Sequence, residues 1–340
     1  MKAAVFYGSE KGLRIEDVPI PKFTPDQILV KVAACGVCHT DLHYLEHGVP
    51  TFKKPPIILG HEASGIVEEA GAQVTQFKKG QRVLIPAVLT CGHCAFCRMG
   101  RENICSNMTM LGNHIDGAYA EYVAVPAKDV LELPESIPLL EASIIADAIS
   151  TPYHAVKNRA QVKPGDTVVI FGCGGVGINA VQLAAAAGGF VIAVDINDRK
   201  LEWAKQFGAV QTINAKSVDR VSKTVKKLTG GGADIAIEVI GNPRTIEEAF
   251  ECVRIGGRLC VVGYTNEAIS VVAGKIMFKE LEVVGSLGCR PLDYRPLIRL
   301  VEMGKVDVKN QVTHRFKLED LNKAFEAMKE GVSLRSIVVP

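Results

Sequence analysis

Four cysteines crowd one short loop. The segment CGHCAFCRMGRENIC places Cys91, Cys94, Cys97 and Cys105 at C-x2-C-x2-C-x7-C spacing. Four thiolates at about 2.3 Å complete the tetrahedral shell of a zinc ion and leave no open position. Such an ion fixes the geometry of a loop rather than doing chemistry. Iron–sulfur ligation by the same four residues is the rival reading. Two disulfides suit the chain poorly, because ten cysteines without an export signal point to a reducing cytoplasm.

A second set of reactive residues is spread along the chain. The stretch ACGVCHTDLHYLEHG offers Cys35, Cys38, His39, Thr40, Asp41, His43 and His47, and LGHEASG offers His61 and Glu62. Thiolate, imidazole and carboxylate are the donors zinc takes, and imidazole also titrates near neutrality. Cys35-x2-Cys38 has the spacing of a redox pair, but its flanks lack the strand–helix context of one. Further on, IIADAISTPYH sets Asp147 among Ile144, Ile145, Ala146, Ala148 and Ile149. A carboxylate in such company is costly unless something pairs with it. The partner is either a cation or the amides of a helix start, a capping role for which Ser150 and Thr151 compete. Cys173, Cys252, Cys260 and Cys289 read as packing residues, as does Cys35. His47, His93, His114 and His154 carry no motif, although His47 and His114 are placed to line a cleft.

A third site is built from glycine. VVIFGCGGVGINAVQLA holds Gly172, Gly174 and Gly177 as G-x-G-x-x-G, between a strand and a helix. The first glycine permits the tight turn, the second lets backbone approach a pyrophosphate, and the third lets helix and strand pack closely. Gly175, Val176 and Gly177 open the helix, whose N-terminus offers amide donors and partial positive charge. Asp195 ends the next strand, where it accepts from adenosine ribose hydroxyls and repels a 2′-phosphate. Lys200 follows it and joins the cofactor set; Arg199 leaves some use of NADP open.

These groups need a scaffold to position them. Over residues 1–135, short runs such as QILVKVAA, SGIVEEAG, QRVLI and AEYVAV alternate with Gly, Pro and charged turns and read as a β-rich region. After Pro164–Gly165 the rhythm becomes strand–helix: DTVVIFG, GVGINAVQLAAAAG, FVIAVDI, DRKLEWAKQFG with a stop at Gly208, then ADIAIEVIG, TIEEAFECVRIGG, RLCVVG and LEVVGS. That alternation implies a parallel sheet with right-handed crossovers. From about Cys289 the pattern is helical, in YRPLIRLVEMGKV and LNKAFEAMKEG, and ends in the strand RSIVVP.

Composition narrows the function classes. The chain has 340 residues, 48% hydrophobic and 22% charged, with a formal net charge of +2. The length suggests two domains, and the charge balance argues against nucleic acid or a membrane surface as partner. Residues 177–194, GINAVQLAAAAGGFVIAV, lack charge, but Asn179, Gln182 and the Gly188–Gly189 break make them a helix followed by a buried strand.

Taken together, GVCHTDLH, GHEASGIVEEAG, the four-cysteine loop and GCGGVG occur in an order and spacing that resemble a zinc-containing alcohol dehydrogenase of the medium-chain dehydrogenase/reductase superfamily, over essentially the whole chain. The resemblance implies an α/β fold: a GroES-like β-rich catalytic domain, residues 1–148 plus 289–340 with two zinc sites, interrupted by a Rossmann domain with a doubly wound parallel sheet, residues 149–288, that binds NAD. It implies a catalytic zinc in the cleft between the domains, with Cys38 and His61 as ligands and Glu62 behind or transiently on the metal. The third firm ligand is cysteine in many relatives; here its position holds Asp147, a known alternative. The structural zinc falls to Cys91, Cys94, Cys97 and Cys105.

The same resemblance assigns the proton route to Thr40, the cofactor ribose and His43, and the orienting of His61 to Asp41. His39 and, less directly, Arg290 in GSLGCRPLD approach the pyrophosphate. It further implies two zincs per chain, NAD in preference to NADP, and an alcohol, aldehyde or ketone as substrate. A cytoplasmic homotetramer, with a dimer as alternative, is the expected assembly. A dehydrogenase of a specialised secondary alcohol (a sugar alcohol or a cyclic hydroxyacyl-CoA) is the nearest rival. A non-catalytic cofactor-binding protein is the rival of a different class. A zinc-free enone reductase is disfavoured by the metal-ligand set.

Overall fold

The computed structural model describes residues 1–340, which divide into two compact units: Met1–Ala148 with Cys289–Pro340, and Ile149–Gly288. The first unit is mainly β. Its largest sheet runs in the order Leu131–Glu132, Arg82–Ile85, Glu62–Ala70, Gln27–Gly36, Arg335–Val339, Val312–Lys317, and Tyr122–Pro126 also pairs with Gln27–Gly36. A smaller sheet joins Leu13–Asp17, Lys2–Phe6 and Ile57–Ile58. Gln27–Gly36 is buried along nearly its whole length, with only Lys31 exposed, and Ile28, Val30 and Val32 share one cluster with Val83, Ile85, Val123 and Val125.

The C-terminal strand is what ties the tail to the beginning of the chain. Ile337 pairs with Gly36 and Val338 with Cys35, antiparallel. On its other side Gly36 pairs with Glu62. Arg335, two residues before Ile337, is thereby brought to the start of the Glu62–Ala70 strand. One element of the tail has no counterpart in the sequence pattern: Val312–Lys317 is a strand, paired parallel to Arg335–Val339. It is an edge strand whose residues are largely exposed or half-buried. VTHRFK therefore lacks the apolar alternation that announces a strand, and its pairing depends on a partner some twenty residues away.

The second unit is a six-stranded parallel sheet in the order Gln211–Asn214, Phe190–Asp195, Thr167–Phe171, Ala233–Glu238, Val253–Val261, Glu282–Gly285. It is the doubly wound arrangement expected, with its switch point where Thr167–Phe171 lies between Phe190–Asp195 and Ala233–Glu238. Val168, Val169 and Ile170 are wholly buried, as central parallel strands must be. The uncharged 177–194 stretch is the Gly175–Ala186 helix followed by the Phe190–Asp195 strand. No helix is long and apolar enough to cross a membrane. TIEEAFECVRIGG divides: the helix Pro243–Cys252 ends inside it and the next strand begins at Val253.

Candidate active site

The first cluster forms where two strands of the large sheet run side by side. Gln27–Gly36 leads into Cys38, the N-cap of the helix His39–Leu45, and the thiol sulfur accepts from the Thr40 amide at 3.5 Å. His61 directly precedes the neighbouring strand, which Glu62 begins. The backbone before them follows a route open only to glycine. Gly60 has φ +93°, and a Cβ there would lie 2.8 Å from the Tyr119 ring and 2.9 Å from the Cys35 sulfur. Asp147 arrives from a different direction, at the end of the 3-10 helix Glu141–Ala146. Its backbone, φ −143° and ψ −56°, closes that helix; the following helix is capped at Ile149, so Asp147 is not an N-cap. The Tyr294 hydroxyl, from the tail, donates to the Ala146 carbonyl at 2.7 Å and pins the residue before it.

One donor atom from each of Cys38, His61, Glu62 and Asp147 lies within 4.8 Å of the others. His61 Nε2 is 3.6 Å from Asp147 Oδ2, and the Cys38 sulfur is 4.0 Å from the same oxygen. His61 Nδ1 faces Asp41 Oδ1 at 3.5 Å, and the Tyr119 hydroxyl donates to Asp41 Oδ2 at 2.8 Å. Arg335 donates to Glu62 Oε2. Both His61 ring nitrogens, Asp41 Oδ1 and Glu62 Oε1 are buried without a hydrogen-bond partner. Unpartnered buried polar atoms are rare and costly. His61 Nδ1 and Asp41 Oδ1 face each other; for His61 Nε2 and Glu62 Oε1, a divalent cation among the sulfur, that nitrogen and the carboxylate oxygens answers the cost, and the mixed soft and hard donor set suits zinc.

The electrostatics agree. Burial opposes a charged His61, but Asp41, Cys38 and Asp147 outweigh it and hold its pKa well above 6.5. Burial pushes Glu62 up to about 7 against the pull of Arg335. The site is therefore rich in negative charge and attracts cations, protons included.

The four-cysteine loop is a second, separate cluster. Sulfur separations are 3.9 Å for Cys91–Cys97, 3.5 Å for Cys94–Cys97, 3.8 Å for Cys94–Cys105 and 3.4 Å for Cys91–Cys105. A tetrahedron with sulfurs at about 2.3 Å from its centre has edges of about 3.8 Å. All ten cysteines are free thiols, which disposes of paired disulfides here. Backbone amides point at the sulfurs: Cys94 to Cys91 at 3.4 Å, Cys97 to Cys94 at 3.5 Å, Cys91 to Cys105 at 3.4 Å. Such bonds favour the thiolate. Amide donation lowers Cys94 to about 6 and Cys91 to about 7, while burial pushes Cys97 up to about 12.

In the second unit, Gly172 has φ +98° and Gly174 caps the Gly175–Ala186 helix. A Cβ on Gly177 would fall 1.9 Å from the Gly172 carbonyl oxygen, whereas one on Gly174 would meet nothing within 4 Å. The third glycine is thus required by packing and the second leaves open space at a helix N-terminus. Gly175 and Val176 form that first turn. Asp195 Oδ2 accepts from the Cys173 amide at 2.8 Å, and Oδ1 from Ile196 at 2.8 Å and Asn197 at 3.0 Å. Lys200 is in the first turn of the next helix. Arg199 is stacked over Trp203, 5.0 Å from the ring centroid.

The remaining expected residues lie in the first unit. His39 is exposed at the start of its helix. The Thr40 hydroxyl lies 3.5 Å from the Cys38 sulfur. The Arg290 guanidinium is held by both oxygens of Asp293, at 3.0 and 2.7 Å. His43 Nδ1 is 2.9 Å from His47 Nδ1. Sequence reasoning does not reach Tyr119 or Arg335, and it gives His47 nothing beyond a place near a cleft. His47 has a usable signal, its i+4 spacing from His43; the other two have none, since they reach the site only through strand pairing and core packing.

Comparison with known proteins follows the same two units. Residues 24–135 match the family described as alcohol dehydrogenase GroES-like domain, and residues 175–303 match zinc-binding dehydrogenase. An alcohol dehydrogenase of Geobacillus stearothermophilus is 37% identical over 332 residues, 97% of either chain. The sorbitol dehydrogenase of Bacillus subtilis (strain 168) is 36% identical, over 96% of this chain and 93% of that one. The crystal structure of the alcohol dehydrogenase from the archaeon Aeropyrum pernix superposes with a TM-score of 0.91 at 34% identity, covering 100% of each chain.

Proposed function

Because the chain belongs to the zinc-containing alcohol dehydrogenases of the medium-chain dehydrogenase/reductase superfamily, we propose that it interconverts primary or secondary alcohols with aldehydes or ketones, using NAD. The observation that carries this reading is the convergence of Cys38, His61, Glu62 and Asp147 around orphaned buried polar atoms. Cys38, His61 and Asp147 hold a catalytic zinc, with Glu62 as an occasional ligand. Cys91, Cys94, Cys97 and Cys105 hold a structural one. The residues 1–148 and 289–340 form the catalytic domain and 149–288 the NAD-binding domain.

A bound zinc supplies Lewis acidity toward a substrate oxygen, lowering the pKa of an alcohol or polarising a carbonyl. NAD would supply the hydride acceptor; Gly172, Gly174, Gly175, Val176, Gly177 and Lys200 are the residues that would hold it in the second unit, and His39 and Arg290 are the cofactor-binding residues proposed in the first. Asp195 favours NAD, since a 2′-phosphate beside its carboxylate meets like charge. Thr40 accepts the substrate hydroxyl proton and hands on its own, because a hydroxyl donates and accepts at once. His43, one helical turn further, takes the proton as general base. Asp41 holds the His61 ring with Nε2 toward the ligand cluster. The exposed Val283 of the edge strand, with Met277 and Phe278 before it, supports self-association. The assembly we propose is a cytoplasmic homotetramer rather than a dimer.

Similarity to both an alcohol and a sorbitol dehydrogenase keeps a specialised secondary alcohol as the second reading. The test is metal analysis together with NADH formation on a panel of ethanol, benzyl alcohol, 2,3-butanediol and sorbitol. Two zincs per chain and turnover of at least one alcohol are expected. Zinc and NAD bound without turnover of any alcohol, or of the matching carbonyls with NADH, would leave a non-catalytic cofactor-binding protein.

A further inference from the structure

His43 is followed one turn later by a second histidine in direct hydrogen-bond contact. The two Nδ1 atoms are 2.9 Å apart, with ring centroids 5.1 Å apart and planes inclined at 53°. The helix ends at Leu45, and the Val49 amide returns to the His43 carbonyl at 3.1 Å, folding the chain back so that the pair forms. The environments differ: His43 is half-buried and His47 is exposed. The nearest acidic side chain in sequence, Glu46, is engaged by Lys329 at 2.8 Å.

We propose that His47 is the outlet of the proton route, taking from His43 Nδ1 the proton that leaves the alcohol and releasing it to solvent. The inference rests on the dehydrogenase reading above. Two nitrogens of the same kind at 2.9 Å share one proton, so one ring is the Nδ1–H tautomer and the other the acceptor. With His43 as donor, a proton arriving at its Nε2 is matched by the Nδ1 proton passing to His47. His47 then sheds one from its own Nε2 to water. One proton enters and one leaves; the hydride and its electron pair go to NAD and no further reactant is needed. Burial first, and His47 second, lower the His43 pKa below 6.5. A half-buried imidazole that resists holding charge is suited to passing a proton on rather than storing it. His47 thereby acts through His43 and touches no reacting atom.

The experiment follows proton release with an indicator dye during the first turnover of zinc-loaded enzyme, using whichever alcohol of the panel is oxidised. His47→Gln should slow release by up to about 100-fold, the lower end of general acid–base effects, and rising imidazole at fixed pH and ionic strength should restore it. Rates equal to the parent, without imidazole dependence, overturn the inference. So does a slowed variant that imidazole leaves slow, because its loss is then structural. His43→Gln separates the two readings. If it is impaired while His47→Gln is not, only the outlet fails. If it runs at the parental rate, the route through His43 fails and the outlet with it, while the dehydrogenase reading stands; if the parent turns over no alcohol of the panel and none of the matching carbonyls, the dehydrogenase reading itself fails.

Discussion

Asp41 Oδ1 faces Nδ1 of His61 at 3.5 Å, with the carboxylate's other oxygen bonded by the Tyr119 hydroxyl at 2.8 Å. Both Asp41 and Tyr119 are fully buried. A carboxylate so placed sets the ring orientation and tautomer of a metal-binding histidine, and partners of this kind are worth about 10–100-fold in metal affinity. Asp41→Asn should weaken catalytic zinc binding by that factor, measured by competition with a chromophoric chelator. Circular dichroism should be unchanged. Unaltered affinity would show that His61 is oriented by its packing alone.

Asp147 is the ligand position on which the metal-site reading is most exposed. Asp147→Ala should leave one zinc per chain and remove most activity, with the fold retained. Asp147→Cys should keep two zincs, because thiolate is an equally competent zinc donor. Two zincs at full activity in Asp147→Ala would refute the assignment.

The glycine motif separates packing from ligand approach. Gly177→Ala drives a Cβ to 1.9 Å from the Gly172 oxygen. Overpacking of this kind costs roughly 1–3 kcal/mol, and the melting temperature should fall accordingly. Gly174→Ala puts its methyl into open space. It should melt near the parent and bind NAD more weakly, by calorimetric titration. If the two variants behaved alike, the distinction drawn between the glycines would be wrong.

The cysteine loop should release zinc on acidification in two regimes. Cys91 at about 7 and Cys94 at about 6 are depressed from 9.0, chiefly by amide donation. Depressed values favour the folded, metal-free loop above the unfolded thiol value, and that contribution is lost as pH falls through about 7 and then about 6. Zinc must also displace these protons once they bind. A plot of log affinity against pH should therefore be steeper below about pH 6 than above about pH 7. A constant slope across that range would contradict the depressed thiols.

Much of this fold is legible in the amino-acid sequence. Strands such as Gln27–Gly36 and Thr167–Phe171 carry their pattern locally, and the glycine motif sits between a strand and a helix that are both plainly marked. The cysteine loop is legible because its four donors lie close together in one segment, so local chain geometry alone brings them into contact. Val312–Lys317 is not legible, because an edge strand need not alternate apolar residues and its pairing is decided by a distant partner. Nor is the split of TIEEAFECVRIGG at Val253, because helix and strand abut there without a turn.

Sequence by itself determined which side chains were available, Cys38, His61, Glu62 and Asp147 among them, because donor type is a property of the residue. What only tertiary structure decided is which of them meet and what stands behind them. Asp147 is far from His61 along the chain, and Arg335 and Tyr119 reach Glu62 and Asp41 through strand pairing and core packing. Such contacts arise from the non-local burial of apolar surface, which leaves no periodic trace in the segments it joins. The capping alternative for Asp147 is closed by backbone angles at that one residue, and a sequence does not carry those.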